Sequence, residues 1–483
     1  MKTESLPLLV PGASAAGTHE VRAPFDDALI ARVEVGGPAT VEQALANAAD
    51  AFADRAQWLS AERRLAILEK TAARMRDEAE ELALLAAREG GKPLTDSRVE
   101  VARAIDGMKS CVEHLRTQHG REVPMNLNAA SAGHLAVTRH YPVGPVVAIS
   151  AFNHPLNLIV HQVAPAVAVG CPFIVKPALE TPLSCLRFVN LLHEAGLPAA
   201  WGQALPLADN DLAEKLATDP RVAFLSFIGS AKVGWKLRSR LAPGTRCALE
   251  HGGAAPAIVA ADAALDTTVP LLAKASFYHA GQVCVSTQRI YAQKRVARKL
   301  AEQLARTARE LKIGDPADEQ TEVGPLIRAR EVGRVDEWVR EAVAGGAEML
   351  CGGERVGRQG YAGTVLFNPS ATARVSREEI FGPVVCVYPY EELDEAIARA
   401  NDSPFAFQAA VFTNDLNTAL RAYDRLEAAA VMINQHTAFR VDWMPFAGLK
   451  QSGHGIGGIP HTMADMQVEK LLVFKSPSLN RGN

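Results

Sequence analysis

From Pro142 to Leu241 the chain repeats one unit, a short apolar run followed by a helical stretch. Val146-Val147-Ala148-Ile149-Ser150 carries no charge, as expected of a parallel strand covered on both faces. Pro155 to Gly170 reads as a helix, Phe173-Ile174-Val175-Lys176-Pro177 as a second strand, and Leu183 to Ala195 as a further helix. Ala223-Phe224-Leu225-Ser226-Phe227 is another strand, and Ile228-Gly229-Ser230 leads at once into a helix from Ala231 to Leu241. Strand, crossover helix, strand is the pattern of the α/β class and of a doubly wound nucleotide-binding sheet, whose ligands sit at the carboxyl ends of the strands.

The flanking regions follow other rules. Residues 40–116 show helical periodicity, with Thr40 as an expected N-cap and Leu65, Leu68, Ala72 and Met75 forming one apolar stripe. Val99 to Leu115 continues that pattern and carries Arg103, while Ala130 to Tyr141 alternates like a strand or hairpin. After Glu250 the α/β alternation restarts. Strands are expected at 257–260, 288–292, 384–387, 409–412 and 430–433, with helices at 266–278, 296–311 and 328–343. A hydrophobic strand at 470–474 closes the chain and needs a partner edge.

The chain has 483 residues, long enough for two to four domains, and it is 48% hydrophobic and 22% charged. A net charge of -3 gives no basis for a nucleic-acid or membrane-surface partner. The N-terminal apolar stretch, Leu6 to Val10, is too short for a signal sequence. Prolines and polar residues interrupt Leu156 to Val175, which argues against a membrane span. Seven scattered cysteines without a CxxC fit reduced thiols in a cytoplasm and give no metal site.

Five places could carry chemistry. Cys284 lies on the polar turn Gly281-Gln282-Val283-Cys284-Val285-Ser286, between a helix and a strand, where a thiol can face a cleft. Free cysteines more often serve as small buried hydrophobes. Gly229-Ser230 opens a helix and would offer backbone N–H groups to a pyrophosphate, although a plain tight turn gives the same pattern. Lys176 ends a strand at the ligand edge, where it is a site residue or a solvated lysine. Glu250 is a lone carboxyl in an apolar, glycine-rich segment; burial would raise its pKa towards that of a general base. Asn153 could donate to an oxyanion or cap a helix.

Taken together these segments resemble the NAD(P)-dependent aldehyde dehydrogenase superfamily. Phe152-Asn153-His154-Pro155 is similar to W/F-N-x-P, Lys176-Pro177-Ala178 to K-P-[SA], and Phe227-Ile228-Gly229-Ser230 to F-T-G-S. Leu249-Glu250-His251-Gly252-Gly253 resembles E-L-G-G and Gly281-Gln282-Val283-Cys284 resembles G-Q-x-C. Glu379-Ile380-Phe381-Gly382-Pro383 matches E-I-F-G-P, and the segment from Pro445 to Gly453 resembles P-F-G-G-x-K-x-S-G.

The resemblance implies an aldehyde dehydrogenase fold. It has a Rossmann-like cofactor domain (1–122 and 142–249), an α/β catalytic domain (250–450) and a small β oligomerisation element (123–141 and 466–476). It implies oxidation of a small-molecule aldehyde to a carboxylate with NAD or NADP, in a homodimer or homotetramer. By the same resemblance Cys284 is the nucleophile, Asn153 the oxyanion donor and Glu250 the base that activates water. Ser150, Ala151, Phe152, Lys176, Gly229, Ser230, Glu379 and Phe381 would hold the cofactor. The alternative within the superfamily passes the acyl group to CoA; its members usually lack the base, so Glu250 argues against it.

Several residues depart from the family pattern. Leu179 stands where a glutamate commonly contacts the adenosine 2′-hydroxyl, so NADP is an admissible cofactor. His251 replaces the usual leucine, and Ala447 the usual glycine. Phe439-Arg440-Val441-Asp442 resembles a subgroup acting on phosphonate-bearing, lactaldehyde-type and other anionic aldehydes. That likeness implies Arg103 and Arg440 as substrate residues, and His154, next to Asn153, could face the substrate channel. The subgroup's arginine before the nucleophile is Val283 here, so its phosphonate preference does not carry over, and pairing of Arg440 with Asp442 stays open.

Overall fold

The computed structural model describes residues 5–479; residues 1–4 of the N-terminal stretch lie outside it. Five strands from residues 146–250 and a sixth from Gly453–His454 form one sheet in the order 453–454, 246–250, 224–228, 146–149, 173–176, 202–204, parallel except for the short Gly453–His454 edge. Val146–Ile149 is buried along its whole length, as its uncharged sequence requires. The chain moves outward from it to Phe173–Lys176 and Gly202–Ala204, then returns to Phe224–Ile228 on its other side. The connections leaving Ser150 and Gly229 therefore diverge and open a crevice between them.

A second, seven-stranded sheet has the order 348–351, 364–367, 384–390, 287–293, 255–259, 408–412, 430–433. Its chain direction reverses beside Ala255–Val259 in the same way, so it too opens at its carboxyl edge. Ile258, Val259, Ile290, Val385 and Val387 form the centre of its core. Among the described residues no helix is long and apolar enough to cross a membrane.

Gln467–Lys475 pairs antiparallel with His134–Pro142, from Gln467 opposite Pro142 to Lys475 opposite His134. The C-terminal strand thus finds its ladder partner within its own chain, and among the described residues nothing pairs with its other edge. Leu471, Leu472, Val473 and Phe474 on that strand are each about half exposed.

Thr40 is not the N-cap. The helix begins at Pro38, whose fixed φ suits a first helical position, and the Thr40 hydroxyl accepts from the Gly37 N–H at 3.1 Å. The N-terminal sheet of Ser5–Leu6, Gly17–Arg22 and Leu29–Val35 has no counterpart in the sequence reading. Its charged residues pair with one another, Glu20 with Arg22 on its own strand and with Arg32 across to the next, and so mask the apolar alternation.

One buried ion pair sits under the crevice. Lys92 and Glu100 are both wholly inaccessible and hydrogen-bonded to each other. Glu100 Oε1 also accepts from the N–H groups of Leu156 and Asn157, each at 2.9 Å, at the start of the helix Asn157–Val169. Lys92→Met leaves that carboxylate without its cation and is expected to destabilise the fold by about 3–5 kcal/mol. Urea unfolding measures this, and a change below about 1 kcal/mol would mean that the two helix amides suffice.

Candidate active site

The carboxyl edges of the two sheets line one cleft of about 980 Å³. The helix Leu265–Phe277 ends there, and the chain reverses through three left-handed residues: His279 (φ 48°), Ala280 (φ 54°) and Gly281 (φ 69°). A Cβ on Gly281 would lie 2.1 Å from the Gly382 carbonyl oxygen, so only glycine fits. The turn that follows is closed by Ser286 N–H donating to Val283 O at 2.9 Å. Val283 and Val285 pack with Phe407 and Phe446, which leaves Cys284 half-buried between them and facing the cleft.

Cys284 Sγ donates to Glu250 Oε1 at 3.7 Å. Asn153 Nδ2 donates to Gln282 O at 2.9 Å, two residues before the thiol. Gln282 is itself fixed: its Nε2 reaches the carbonyls of His279 and Pro325, each at 3.3 Å, and its Oε1 accepts from Ile327 N–H at 3.0 Å. Among the described residues the Cys284 N–H has no protein acceptor. Thiol, carboxyl and amide thus lie together in one cleft.

Burial raises the Glu250 carboxyl, against the pull of the Arg440 charge and the Cys284 hydrogen bond. Burial, and next the Glu250 charge, push the Cys284 thiol well up, while Arg440 opposes them. Burial therefore disfavours the charged form of each, and in its carboxylate form Glu250 is the acceptor for the thiol. Such a pair can pass one proton from sulfur to oxygen when an electrophile arrives, because the thiolate is the nucleophile.

Towards the crevice lie Ser150, Ala151, Phe152, Lys176, Gly229, Ser230, Glu379 and Phe381. They fit a dinucleotide. The buried Ser150 hydroxyl has no partner among the described residues, and the Ser230 side chain makes no cap bond to its own helix. Glu379 Oε1 accepts from Gly253 N–H at 2.9 Å, and burial pushes its carboxyl up to about 7. A Cβ on Gly252 would overlap that carboxyl at 1.9 Å, which accounts for the glycine. Phe381 stands edge-on to Phe152 at 5.9 Å. Glu180, directly after Leu179, is ion-paired with Arg328 from the opposite wall. Bound there, NAD(P) would supply the hydride acceptor.

On the other side of Cys284 the cleft is lined by Arg103, His154, His161, Tyr278, Arg440 and Phe446. Asp442 does not pair with Arg440. It takes the Arg103 fork, Nε to Oδ2 at 3.1 Å and Nη2 to Oδ1 at 2.8 Å, and also the His161 Nε2 at 2.7 Å. Arg440 instead lies over Phe446, its Cζ 3.6 Å from the ring centroid. It has no carboxylate in ion-pair range among the described residues, and its buried Nε is unpartnered. His154 Nε2 is 3.4 Å from the Tyr278 hydroxyl.

Three contributors escaped the sequence reading. Gln282 was visible within the G-Q-x-C box, and Asp442 within F-R-V-D, but their partners are distant in sequence. His251 had no account; it packs between Phe227 and Trp235, and Gly234 makes room for its ring, since a Cβ there would meet Nε2 at 1.9 Å. Nothing in the structure explains Ala447.

Residues 10–472 match the aldehyde dehydrogenase family. The chain is 38% identical over 444 residues to a 3-sulfolactaldehyde dehydrogenase of Priestia aryabhattai, covering 92% of each. Among solved structures it is similar to aldehyde dehydrogenase 21 of Physcomitrella patens in complex with the reaction product succinate. There the TM-score is 0.93 and the identity 35%, over 98% of this chain and 99% of that one. It is likewise similar to glyceraldehyde-3-phosphate dehydrogenase of Methanocaldococcus jannaschii complexed with NADP, at TM-score 0.91 and 32% identity, over 96% of this chain and 100% of that one. Over such a length and at such identity the chain belongs to the aldehyde dehydrogenase family, and its reaction is the NAD(P)-dependent oxidation of an aldehyde.

Proposed function

We propose that Cys284 attacks the aldehyde carbon of a small substrate whose far end is anionic. The contact that carries this reading is the Cys284–Glu250 pair beside Asn153. The thiol proton leaves to Glu250 as sulfur bonds to carbon, and the oxyanion is held by Asn153 Nδ2 and the Cys284 N–H. Bound NAD(P) would accept the hydride, which would leave a thioester on Cys284. Glu250 releases its proton to solvent and, again a carboxylate, takes a proton from water; hydroxide adds to the thioester, and the acid product leaves as the thiolate returns. No relative's name favours CoA over water as acceptor.

Lys176 serves the adenosine ribose, Gly229 and Ser230 the pyrophosphate, and Glu379 the nicotinamide ribose. The cofactor domain is assigned to 1–122 and 142–249, the catalytic domain to 250–450, and the bridging element to 123–141 and 466–476. The apolar edge of Gln467–Lys475, unpaired among the described residues, supports pairing with a second copy, as a homodimer or homotetramer in the cytoplasm.

Support for an anionic far end comes from Arg440, a cation without a carboxylate in the substrate half of the cleft. The Priestia relative is named for a sulfonate-bearing aldehyde, and the Physcomitrella enzyme holds succinate. Arg103, tied to Asp442, positions that wall, and His154 faces the same space.

Cys284→Ala should abolish aldehyde oxidation yet keep cofactor binding, read by reduced-cofactor absorbance and by calorimetry; appreciable turnover would move the nucleophile elsewhere. Glu250→Gln should give one burst of reduced cofactor and then stall, because hydride transfer precedes water attack. In the native enzyme deacylation should fall as pH drops through the raised Glu250 pKa, where the base form is lost, and this limb should vanish in the variant. NADP should support measurable turnover because Leu179 presents no carboxylate to its 2′-phosphate; strict dependence on NAD would place the exclusion on other residues. Arg440→Ala should raise KM for a semialdehyde about tenfold or more while sparing an uncharged aldehyde of equal length. An equal effect on both would return Arg440 to the scaffold.

A further inference from the structure

We infer that the substrate half of the cleft is built for a single negative charge, a carboxylate or sulfonate and not a phosphonate or phosphate dianion, and that Asp442 sets this preference by cancelling Arg103. The inference rests on the anionic-substrate reading above and sharpens it.

The argument is a count of charges around one small volume. Two cations reach it, Arg103 from the helix Leu94–Thr117 and Arg440 from the segment before Phe446. Asp442, itself buried, grips Arg103 through both oxygens. Burial alone would raise Asp442, but His161 and Arg103 outweigh it and hold the carboxyl far below its usual range, so it stays ionised. Arg103 and Asp442 together therefore present almost no net charge.

The remaining polar groups add little. His154 is kept neutral by burial, and next by Lys92, His279, Arg103 and Arg440. His161 is held down by burial despite its bond to Asp442. His279 is likewise neutral, burial being the main cause, and the Tyr278 hydroxyl stays protonated for the same reason. Lys92 is cancelled by Glu100, and Lys274, near Tyr278, by Asp96. Burial disfavours charge on Glu250 and on Cys284, and among the described residues Glu250 makes no ion pair with Arg440. Among the described residues Arg440 alone of these cations has no carboxylate in ion-pair range, and Val283 brings no further charge beside the nucleophile. A monoanion stacked against Arg440 would be neutralised; the second charge of a dianion would be desolvated without a partner.

The test uses two product-like molecules differing only at the far end, 3-sulfopropionate and 3-phosphonopropionate, with butanoate, whose far end carries no charge, as the reference. Binding to the full-length enzyme in the presence of NAD is measured by calorimetry from roughly pH 6 to 9, across which a phosphonate loses its second proton but a sulfonate does not. The sulfonate corrects for titration of the protein's own groups. The expected result is that phosphonate binding weakens about tenfold relative to sulfonate over that range, and that Asp442→Asn, which frees Arg103, removes most of this loss.

Phosphonate binding that tightens as its second proton leaves would overturn the single-charge inference and leave the anionic-substrate reading standing. Binding of both no tighter than butanoate would overturn both. An Asp442→Asn enzyme that keeps the native phosphonate-to-sulfonate ratio would remove Asp442 as its determinant. Should that variant not fold, the native ratio decides the single-charge claim alone.

Discussion

The hydrogen bond from Asn153 Nδ2 to Gln282 O joins the two halves of this molecule where chemistry has to happen. Asn153 leaves the central strand of one sheet, and Gln282 belongs to the turn that presents the thiol between two strands of the other. Each sheet alone ends in an open crevice. Only with the turn held against the first sheet do a donor amide and a nucleophile face the same point. Gln282 extends the tie to Pro325 and Ile327, so three separate stretches of backbone fix the position of Cys284. The three left-handed residues before it are costly conformations, two of them not glycine, and these tertiary bonds are what over-determine them.

The same closeness sets the electrostatics. Glu250 and Cys284 are buried together, and burial disfavours the charged form of each. Neither ionises without the other in mind: a carboxylate at 3.7 Å would push the thiol higher still, whereas a neutral pair is nearly free of cost. Arg440 pulls both groups the other way, towards their charged forms. An anion bound at Arg440 would weaken that pull, which couples occupancy of the far end to the proton balance at sulfur.

Much of this was legible in the sequence, for physical reasons that can be named. Uncharged runs such as 146–150 read as buried parallel strands because no residue in them could face water. Cys284, Glu250 and Asn153 sit in segments whose order and spacing carry the family resemblance. What could not be read were partners far apart along the chain. Asp442 stands two residues from Arg440, yet takes Arg103, 339 positions away, because the turn after Arg440 points the two side chains to different walls. His251 looked anomalous only because the glycine that accommodates it, Gly234, lies in another element. The N-terminal sheet hid behind its charged pairs.

Arg440 is the place where local consistency fails. A guanidinium with a buried, unpartnered Nε breaks the rule that buried charge is paired. Stacking on Phe446 recovers part of the desolvation cost, on the order of 2 kcal/mol for a desolvated cation on a ring. A carboxylate for it was available two residues away, and the fold gives that carboxylate to Arg103 and His161 instead. A scaffold arginine would be expected to take the nearer acid. That this one is left waiting, with its charge directed into the cleft beside the nucleophile, is the kind of local cost that proteins retain at sites where a ligand supplies the missing partner.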